Sequence, residues 1–430
     1  MQQSFPELPA DALGIAVTLG ACVLLLLLPR RWATVPIIMI CCYMTMGQSI
    51  NIAGLHFTMI RVLIAAGWLR VLIRGEARSM ALNQLDKIIL ASVAVEIIAY
   101  IALWHNGDAI VYKLGFGYNV VGSYFLFRAL LCDLEDVVIV FRSLAVLTVP
   151  LALLMLLEKS TGNNLFSIFG GVSSITAVRD GVLRCNGPFS HPILAGTFGA
   201  TIFPLVAVLW LDGRIGKLLA ICGMTSGLTI TVTSGSSGPV MALLAGMMSL
   251  GLWSIRTHMK LVRRGIVVTL IGLQLVMKVP VWFILGKVDI FSGSTGFHRA
   301  MLIDSALRNL DDWWLVGTKS TLSWATEDQG LFDVTNQYLQ VGAEGGLFAM
   351  MLFIWIIVVA FRMIGMTWKA MDDFGEDTIS QMMVWGLGAA LLAHVVSFIS
   401  VSYFDQNFVN WYLLLGMIAT VCDQIGRAHV

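Results

Sequence analysis

The stretch Gly346-Leu-Phe-Ala-Met-Met-Leu-Phe-Ile-Trp-Ile-Ile-Val-Val-Ala-Phe361 decides the fold class of this chain. It carries no charge, and the nearest charged residues are Glu344 and Arg362. A helix of about 20 predominantly apolar residues crosses a hydrocarbon core about 30 Å thick. Runs of this kind recur along the whole chain. We therefore predict an all-α integral membrane protein that crosses the lipid bilayer many times.

The composition agrees with that prediction. Hydrophobic residues make up 58% of the 430, charged residues 12%, and the mean hydropathy is +0.84. A soluble domain carries about 25% charged residues. The net charge of +1 gives no field that would recruit nucleic acid, so we expect no nucleic-acid partner. Most of the seven cysteines lie in apolar runs, where cysteine behaves as a small hydrophobic residue, and we expect no disulfide framework.

The apolar runs predict twelve or thirteen transmembrane helices, with the runs that Arg61 and Arg128 interrupt the least regular. They lie near residues 10–29, 34–50, 57–73, 87–105, 111–131, 137–157, 191–211, 216–233, 238–255, 265–285, 345–365, 381–401 and 408–423. The chain divides into N-terminal transmembrane helices (1–157), a core with two long loops (158–365) and C-terminal transmembrane helices (366–424). Residues 425–430 read like the translation of a sequencing adapter, so they are left out of the fold prediction.

Lysine and arginine in the short loops predict the orientation of the helices. One set of alternate loops holds Arg30, Arg31, Arg70, Arg74, Arg78, Lys87, Arg214, Lys217, Arg256, Lys260, Arg263, Arg264, Arg362 and Lys369. The opposite short loops, near 51–56, 106–110, 234–237 and 402–407, have neither residue type. The basic set is therefore predicted to be cytoplasmic, with the N-terminus outside.

Two loops, 158–190 and 286–344, are much longer than the others, and both fall on the outer face under this orientation. Long polar insertions in a helical bundle are typical of functional sites or lids. The second loop contains a predicted amphipathic helix, 297–310, that rests on the membrane interface or roofs a cavity. Its apolar face would present Met301, Leu302, Ala306 and Leu310, and we expect Trp313, Trp314 and Trp324 at the headgroup level.

The first long loop contains candidate anion-binding residues. Arg179 and Arg184 precede a Gly187-Pro188 turn, and His191 precedes Pro192 at a predicted helix start. Guanidinium groups bind phosphate oxygens through paired hydrogen bonds, which suits a lipid diphosphate at the interface. A solvated loop with a capped helix start explains the same residues equally well.

The second long loop adds further candidates. Arg299 and His298 open the amphipathic helix, and a helix N-terminus beside an arginine favours an anion. Asp304 and Arg308 have the spacing of an ion pair along a helix. Hydrogen-bonding side chains follow at Asp333, Asn336, Tyr338 and Glu344. Taken singly, each of these residues also fits a polar loop that is simply exposed to water.

Within the spans, Glu96 and Arg61 are charged, and buried charges in a membrane usually pair. We predict an Arg61–Glu96 ion pair, with a proton relay as the alternative. The chain has no nucleotide-binding loop, no zinc-type spacing of histidine and cysteine, and no Gly-x-Ser-x-Gly motif. We therefore expect no metal and no cofactor, and neither an ATP-driven pump nor a serine hydrolase.

Residues 180–365 resemble the family of O-antigen ligases and polysaccharide polymerases. The similar fragments, in order, are Arg184, Gly187-Pro-Phe189, His191-Pro192, Gly296-Phe-His-Arg299, Trp314-Leu-Val-Gly317, Asn336-Gln-Tyr338-Leu339 and Glu344-Gly-Gly346-Leu347. Each fragment is short, and the specificity lies in their order and their shared face.

The resemblance implies an inverting, metal-independent glycosyltransferase of the bacterial inner membrane, acting at its periplasmic face on an undecaprenyl-diphosphate-linked oligosaccharide. It implies that Arg299 and Arg184 hold the diphosphate leaving group. It also implies a flippase and a chain-length regulator of the same pathway as partners, with the lipid bilayer as the environment.

The chain departs from the family at two positions. Ligases have His-Asn where this chain has Thr335-Asn336, and many members have Ser-Arg where it has Ser236-Ser237. Threonine cannot act as the base for the acceptor hydroxyl, so Asp333, Glu344 and His298 are the candidates, in that order. This departure favours a polymerase over a ligase. A flippase or transporter and a non-catalytic assembly partner remain alternatives.

Overall fold

The computed structural model describes residues 8–9, 11–52, 55–76, 81–287, 295–321, 324 and 334–428. Helices dominate the described chain. The α-helices are α1 (Ala12–Leu27), α2 (Val35–Tyr43), α3 (Met59–Ile73), α4 (Gln84–Trp104), α5 (Gly107–Leu130), α6 (Leu134–Thr161), α7 (Pro192–Ala207), α8 (Gly213–Thr233), α9 (Ser237–Gly251), α10 (Met259–Val276), α11 (Thr295–Arg308), α12 (Leu310–Trp313), α13 (Gln337–Asp373), α14 (Thr378–Ser397) and α15 (Asp405–Ala428). Short 3₁₀ helices occupy Arg30–Trp32, Leu165–Phe169, Val208–Leu211, Leu252–His258 and Val281–Lys287.

Eight helical segments in the described part of the chain are long and apolar enough to cross a membrane. They are Gln84–Trp104, Leu134–Thr161, Pro192–Leu211, Gly213–Thr233, Ser237–Val276, Gln337–Asp373, Thr378–Ser397 and Asp405–Gly426. The protein is therefore a multi-pass helical membrane protein. The predicted span at 34–50 is wrong, because α2 has nine residues and a strand begins at Gln48. Nine helical residues rise only about 14 Å, roughly half of the hydrocarbon core.

Helix α7 lies at the centre of the bundle, packed between α6, α8, α9, α14 and α15. Glycines allow its closest approach to α8, because a Cβ atom on Gly199 would stand 2.7 Å from the backbone oxygen of Gly227. Small residues at such crossings bring two membrane helices into backbone contact. The first-loop residues that precede α7 are thereby fixed to the most buried of these eight segments.

Two small sheets accompany the helices. Strands β1 (Leu8–Pro9), β2 (Gln48–Ile52) and β3 (Leu55–Thr58) pair in that order, with β1 parallel and β3 antiparallel to β2. Strands β4 (Ala177–Arg179) and β5 (Val182–Arg184) form a hairpin in the first long loop. Its turn, Asp180-Gly181, has positive φ at both residues (51° and 76°), as the commonest two-residue hairpin turn requires.

The amphipathic helix predicted at 297–310 is α11, and the i,i+4 pair is present, with Arg308 Nε 2.7 Å from Asp304 Oδ2. Its apolar face packs on the beginning of α13 rather than on lipid, with Leu302 and Ala306 buried against Leu339. Two of the three tryptophans expected at the headgroup level are buried inside the protein. Trp313 and Trp324 belong to this same buried cluster, each at 1% exposure, because α11 and α13 enclose them. Trp314 remains half exposed.

Candidate functional site

Both long loops reach the start of α9. From the first loop, Arg184 Nη2 donates to Ser236 Oγ at 2.6 Å. Ser236 precedes α9, but its side chain makes no capping bond to the helix. The first N–H groups of a helix need partners from outside it, and they carry the positive end of the helix dipole. The guanidinium of Arg184 therefore lies beside a helix end that already favours an anion.

Arg299 approaches the same helix end from the second loop. Its Nη2 atom lies 3.3 Å from the position that a Cβ atom would occupy on Gly238, in the first turn of α9. The Ser400 side chain, from the α14–α15 connection, touches that position as well. The missing side chain of Gly238 thus leaves room for an arginine and a serine against the backbone of α9. Arg184 and Arg299, 115 positions apart in the sequence, approach α9 two residues from each other.

The hairpin β4–β5 presents two arginines on one face. Ala177 pairs with Arg184 and Arg179 pairs with Val182, so residues 179 and 184 point to the same side of the two strands. Burial, with the nearby charge of Arg179, lowers the pKa of Arg184. Arg179 itself is half exposed and stands 3.7 Å from Asp180. This side of the site is positively charged.

His191 caps the central helix α7. Its Nδ1 atom accepts a hydrogen bond from the amide of Ile193, and Pro192 follows at the first helical position. Burial, with a smaller effect of the positive charges of Arg184 and Arg179, lowers the pKa of His191 to about 4. The ring is therefore neutral at neutral pH, with Nδ1 acting as the cap acceptor.

Glu158 holds the turn between Arg184 and His191, and the sequence analysis did not identify it. Its carboxylate accepts the amides of Asn186 (3.1 Å) and Gly187 (2.9 Å) and the hydroxyl of Thr176 (3.2 Å). The residue is 1% exposed, at the end of α6. A buried carboxylate is tolerated when donors satisfy its oxygens. The end of α6 thereby fixes the loop that carries Arg184.

The last described part of the second loop docks on the α14–α15 connection. Asn336 caps α13 by accepting the amide of Leu339, and its Nδ2 donates to the carbonyl of Ile399. The Tyr338 hydroxyl donates to the Val395 carbonyl at 3.0 Å. Both predicted substrate-binding residues therefore have contacts within the protein that position α13.

Glu344 belongs to a buried charged cluster. Lys113 Nζ, on α5, lies 2.5 Å from Glu344 Oε2 and 2.6 Å from Glu96 Oε1. The predicted partner of Glu96 was therefore wrong: Lys113 pairs with it, while Arg61 Nε donates to Asn119. The Lys113 ammonium group also lies within 6 Å of three aromatic rings, those of Tyr100, Tyr112 and Phe116.

Two segments of the second loop, 314–318 and 343–347, pack against each other beside this cluster. Gly346 interrupts α13 with φ 79°, and a Cβ atom there would collide with the carbonyl oxygen of Leu315. The amide of Leu347 donates to Trp314, and that of Thr318 donates to Ala343. The segment 314–318 thus fits into the break of α13, which explains why glycine occupies positions 317 and 346.

The second long loop also contains the predicted site residues His298 and Asp333. His298 precedes Arg299 on α11 and is half-buried. Asp333, the first candidate for a base, lies outside the described residues. The site that the structure assembles contains Arg184, Arg299, Ser236 and Gly238.

No protein-family model matches this chain, and no curated protein sequence matches it.

Proposed function

We propose that this protein is a polymerase of a bacterial surface polysaccharide, an O-antigen or exopolysaccharide. It transfers a saccharide from an undecaprenyl-diphosphate donor to a second lipid-linked repeat unit. The observation that carries the proposal is the approach of Arg184 and Arg299 to the start of α9. Two guanidinium groups and a helix N-terminus form a binding site for a diphosphate, and the multi-pass bundle provides its lipid environment.

The chemistry needs few groups from the protein. Diphosphate is a good leaving group, and fixed positive charges stabilise the negative charge that it gains as the glycosidic bond breaks. The acceptor hydroxyl attacks from the opposite face of the sugar, so the anomeric configuration inverts. This reaction requires no metal. The neutral His191 ring fixes the start of α7 and leaves the positive charge of the site to the arginines.

The topology belongs to the same proposal. The lysine and arginine bias favours an orientation in which the two long loops, 158–190 and 286–344, lie on the outer face of the bacterial cytoplasmic membrane. Lipid-linked repeat units reach that face after a flippase has moved them. A chain-length regulator of the same pathway is the expected protein partner.

The test replaces Arg299 with alanine in a strain whose own copy of the gene is deleted. Removing one group that stabilises transition-state charge costs roughly 100-fold or more in rate, so only short lipid-linked chains should accumulate. Arg308→Ala is the matched control, because Arg308 lies on the same helix with its side chain 78% exposed and paired with Asp304. Normal chain length in Arg299→Ala would refute the proposal.

Other results would identify the alternatives. Long undecaprenyl-linked chains that are never joined to the lipid A core in the deletion strain would indicate a ligase. Movement of labelled lipid-linked sugar across liposomes that contain the purified protein, without chain growth, would indicate a flippase.

A further inference from the structure

A carboxylate lies where the connection between α14 and α15 meets the first long loop. Asp405 is the first residue of α15, and its Oδ2 atom accepts a hydrogen bond from the hydroxyl of Ser190. Ser190 directly precedes His191, whose ring lies close enough to Arg184 for the positive charge to lower its pKa. Asp405 therefore contacts the same loop segment, 184–191, that carries Arg184.

The connection that carries Asp405 also reaches the start of α9. Ser400 lies five residues earlier and, like the Arg299 guanidinium, approaches Gly238 at the start of α9. Ser402 donates to the carbonyl of Val334, which precedes Thr335. The connection between α14 and α15 thus meets the start of α9 beside Arg299 at Ser400, and the first long loop at Asp405.

The two residues that follow Asp405 anchor the start of α15. Its neighbour Gln406 donates to the carbonyls of Met44 (3.0 Å) and Pro188 (3.1 Å), and Asn407 donates to that of Leu194 (2.8 Å). Asp405 itself has a positive φ of 51°. A non-glycine residue in this region persists only where its surroundings determine it, and such positions concentrate at functional sites.

We infer that Asp405 is the catalytic base that deprotonates the acceptor hydroxyl, an inference that rests on the proposed function. In the step, the acceptor oxygen forms a bond to the anomeric carbon while the bond from that carbon to the phosphate oxygen breaks. The electron pair of the broken bond leaves with the diphosphate, which Arg184 and Arg299 hold. The hydroxyl proton passes to the Asp405 carboxylate and from there to water.

Two other carboxylates near the long loops serve the packing of the protein. Glu344 is engaged by Lys113 and by Gln340, and Glu158 is fully occupied by two amides and a hydroxyl. Asp405 is half-buried and accepts from a hydroxyl group that orients it. A base has to be within hydrogen-bond distance of the proton it removes, and Asp405 lies on the connection whose other end, Ser400, meets the start of α9 beside Arg299.

The test uses purified full-length protein with lipid-linked repeat units from the strain that carries the gene. Asparagine tolerates positive φ, so Asp405→Asn preserves the backbone and removes only the basic oxygen. A general base contributes about 100-fold to 10,000-fold, so transfer should fall at least 100-fold. Binding of undecaprenyl diphosphate should stay within about twofold of the wild type, because the arginines remain. Asp108→Asn, an exposed carboxylate at the start of α5, is the matched control.

The outcomes separate the inference from the proposed function. Transfer by Asp405→Asn within about threefold of an active wild type overturns the inference alone, and so does loss of diphosphate binding together with transfer. A wild type that neither binds undecaprenyl diphosphate nor extends chains overturns the proposed function together with the inference. If Asp405→Asn fails to fold, Ser190→Ala replaces it. We expect a fall in transfer of about tenfold at unchanged binding in Ser190→Ala, and unchanged transfer would overturn the inference.

Discussion

Lys113 on α5 and Glu344 on α13 form a buried ion pair, with Nζ 2.5 Å from Oε2, although 231 positions separate them in the sequence. The same ammonium group also pairs with Glu96 on α4. One lysine therefore connects three helices at the break of α13. The pair explains how the second long loop is held against the bundle.

Replacing Lys113 with methionine should destabilise the protein by about 3–5 kcal/mol, because both carboxylates would keep their burial and lose their counter-charge. Heat-induced or denaturant-induced unfolding of the protein in detergent measures the change in stability. Lys369→Met, at an exposed position near the end of α13, is the control and should leave stability within about 0.5 kcal/mol of the wild type. Equal stability of the two variants would contradict the structural role of Lys113.

Gly238→Ala should weaken the binding of undecaprenyl diphosphate about tenfold, equivalent to about 1.4 kcal/mol. The added Cβ atom would meet the Ser400 side chain and the Arg299 guanidinium, so one or both must move away from α9. Gly251→Ala, at the other end of α9, has open space around its Cβ position and serves as the control. Binding can be followed by calorimetry in micelles. Identical affinities for the two variants would show that Arg299 does not need its position beside Gly238.

Glu158→Ala should cost about 2–4 kcal/mol, because the amides of Asn186 and Gly187 would lose a charged acceptor in a buried place. Glu158→Gln retains one acceptor oxygen and should lose less. Both the midpoint of unfolding and the affinity for undecaprenyl diphosphate should fall, since the turn carries Arg184. Glu135→Ala is the exposed comparison, with its side chain 75% accessible. A fully stable Glu158→Ala variant would argue against this account of the first loop.

Burial of the His191 ring should make the stability of the protein depend on pH. Its pKa in the folded protein is about 4, below the ordinary value of about 6.5, because burial disfavours the charged ring. Between these two values the unfolded chain binds the additional proton, so stability contributed by the neutral ring is lost as pH falls from 6.5 towards 4. The loss should reach about 3 kcal/mol at pH 4.

Comparison of the wild type with His191→Asn between pH 7 and pH 4 isolates this contribution. Asparagine retains a capping oxygen and does not titrate, so its stability should fall less steeply with pH. Curves with the same slope would show that His191 does not titrate in that window.

The fold class was predictable because it depends on the length and apolarity of local runs. The bilayer requires each crossing segment to satisfy its own backbone hydrogen bonds, and a helix of about 20 residues does so without distant partners. The prediction of a transmembrane helix at 34–50 failed because it used only these local properties. Those residues are apolar enough for a span, but β2 pairs with β3, and pairing between strands cannot be read from hydropathy.

The candidate site was only partly predictable. Arg184 and Arg299 stood out because each arginine lies beside a turn or a helix start in a polar loop. Glu158 and Lys113 gave no such signal, since a single charge near the end of an apolar run also fits an exposed helix end. Their roles depend on which distant groups surround them.

The sequence by itself determined a multi-pass helical membrane protein with two long polar loops that contain candidate arginines, because hydropathy and loop length are local properties. Only the tertiary structure decided that Arg184 and Arg299 approach one helix start, that Asp405 lies against Ser190, and that Glu96 pairs with Lys113. These contacts join residues far apart in the chain. They form because buried charges and helix ends require partners, and the packing of the helices selects which partners are within reach.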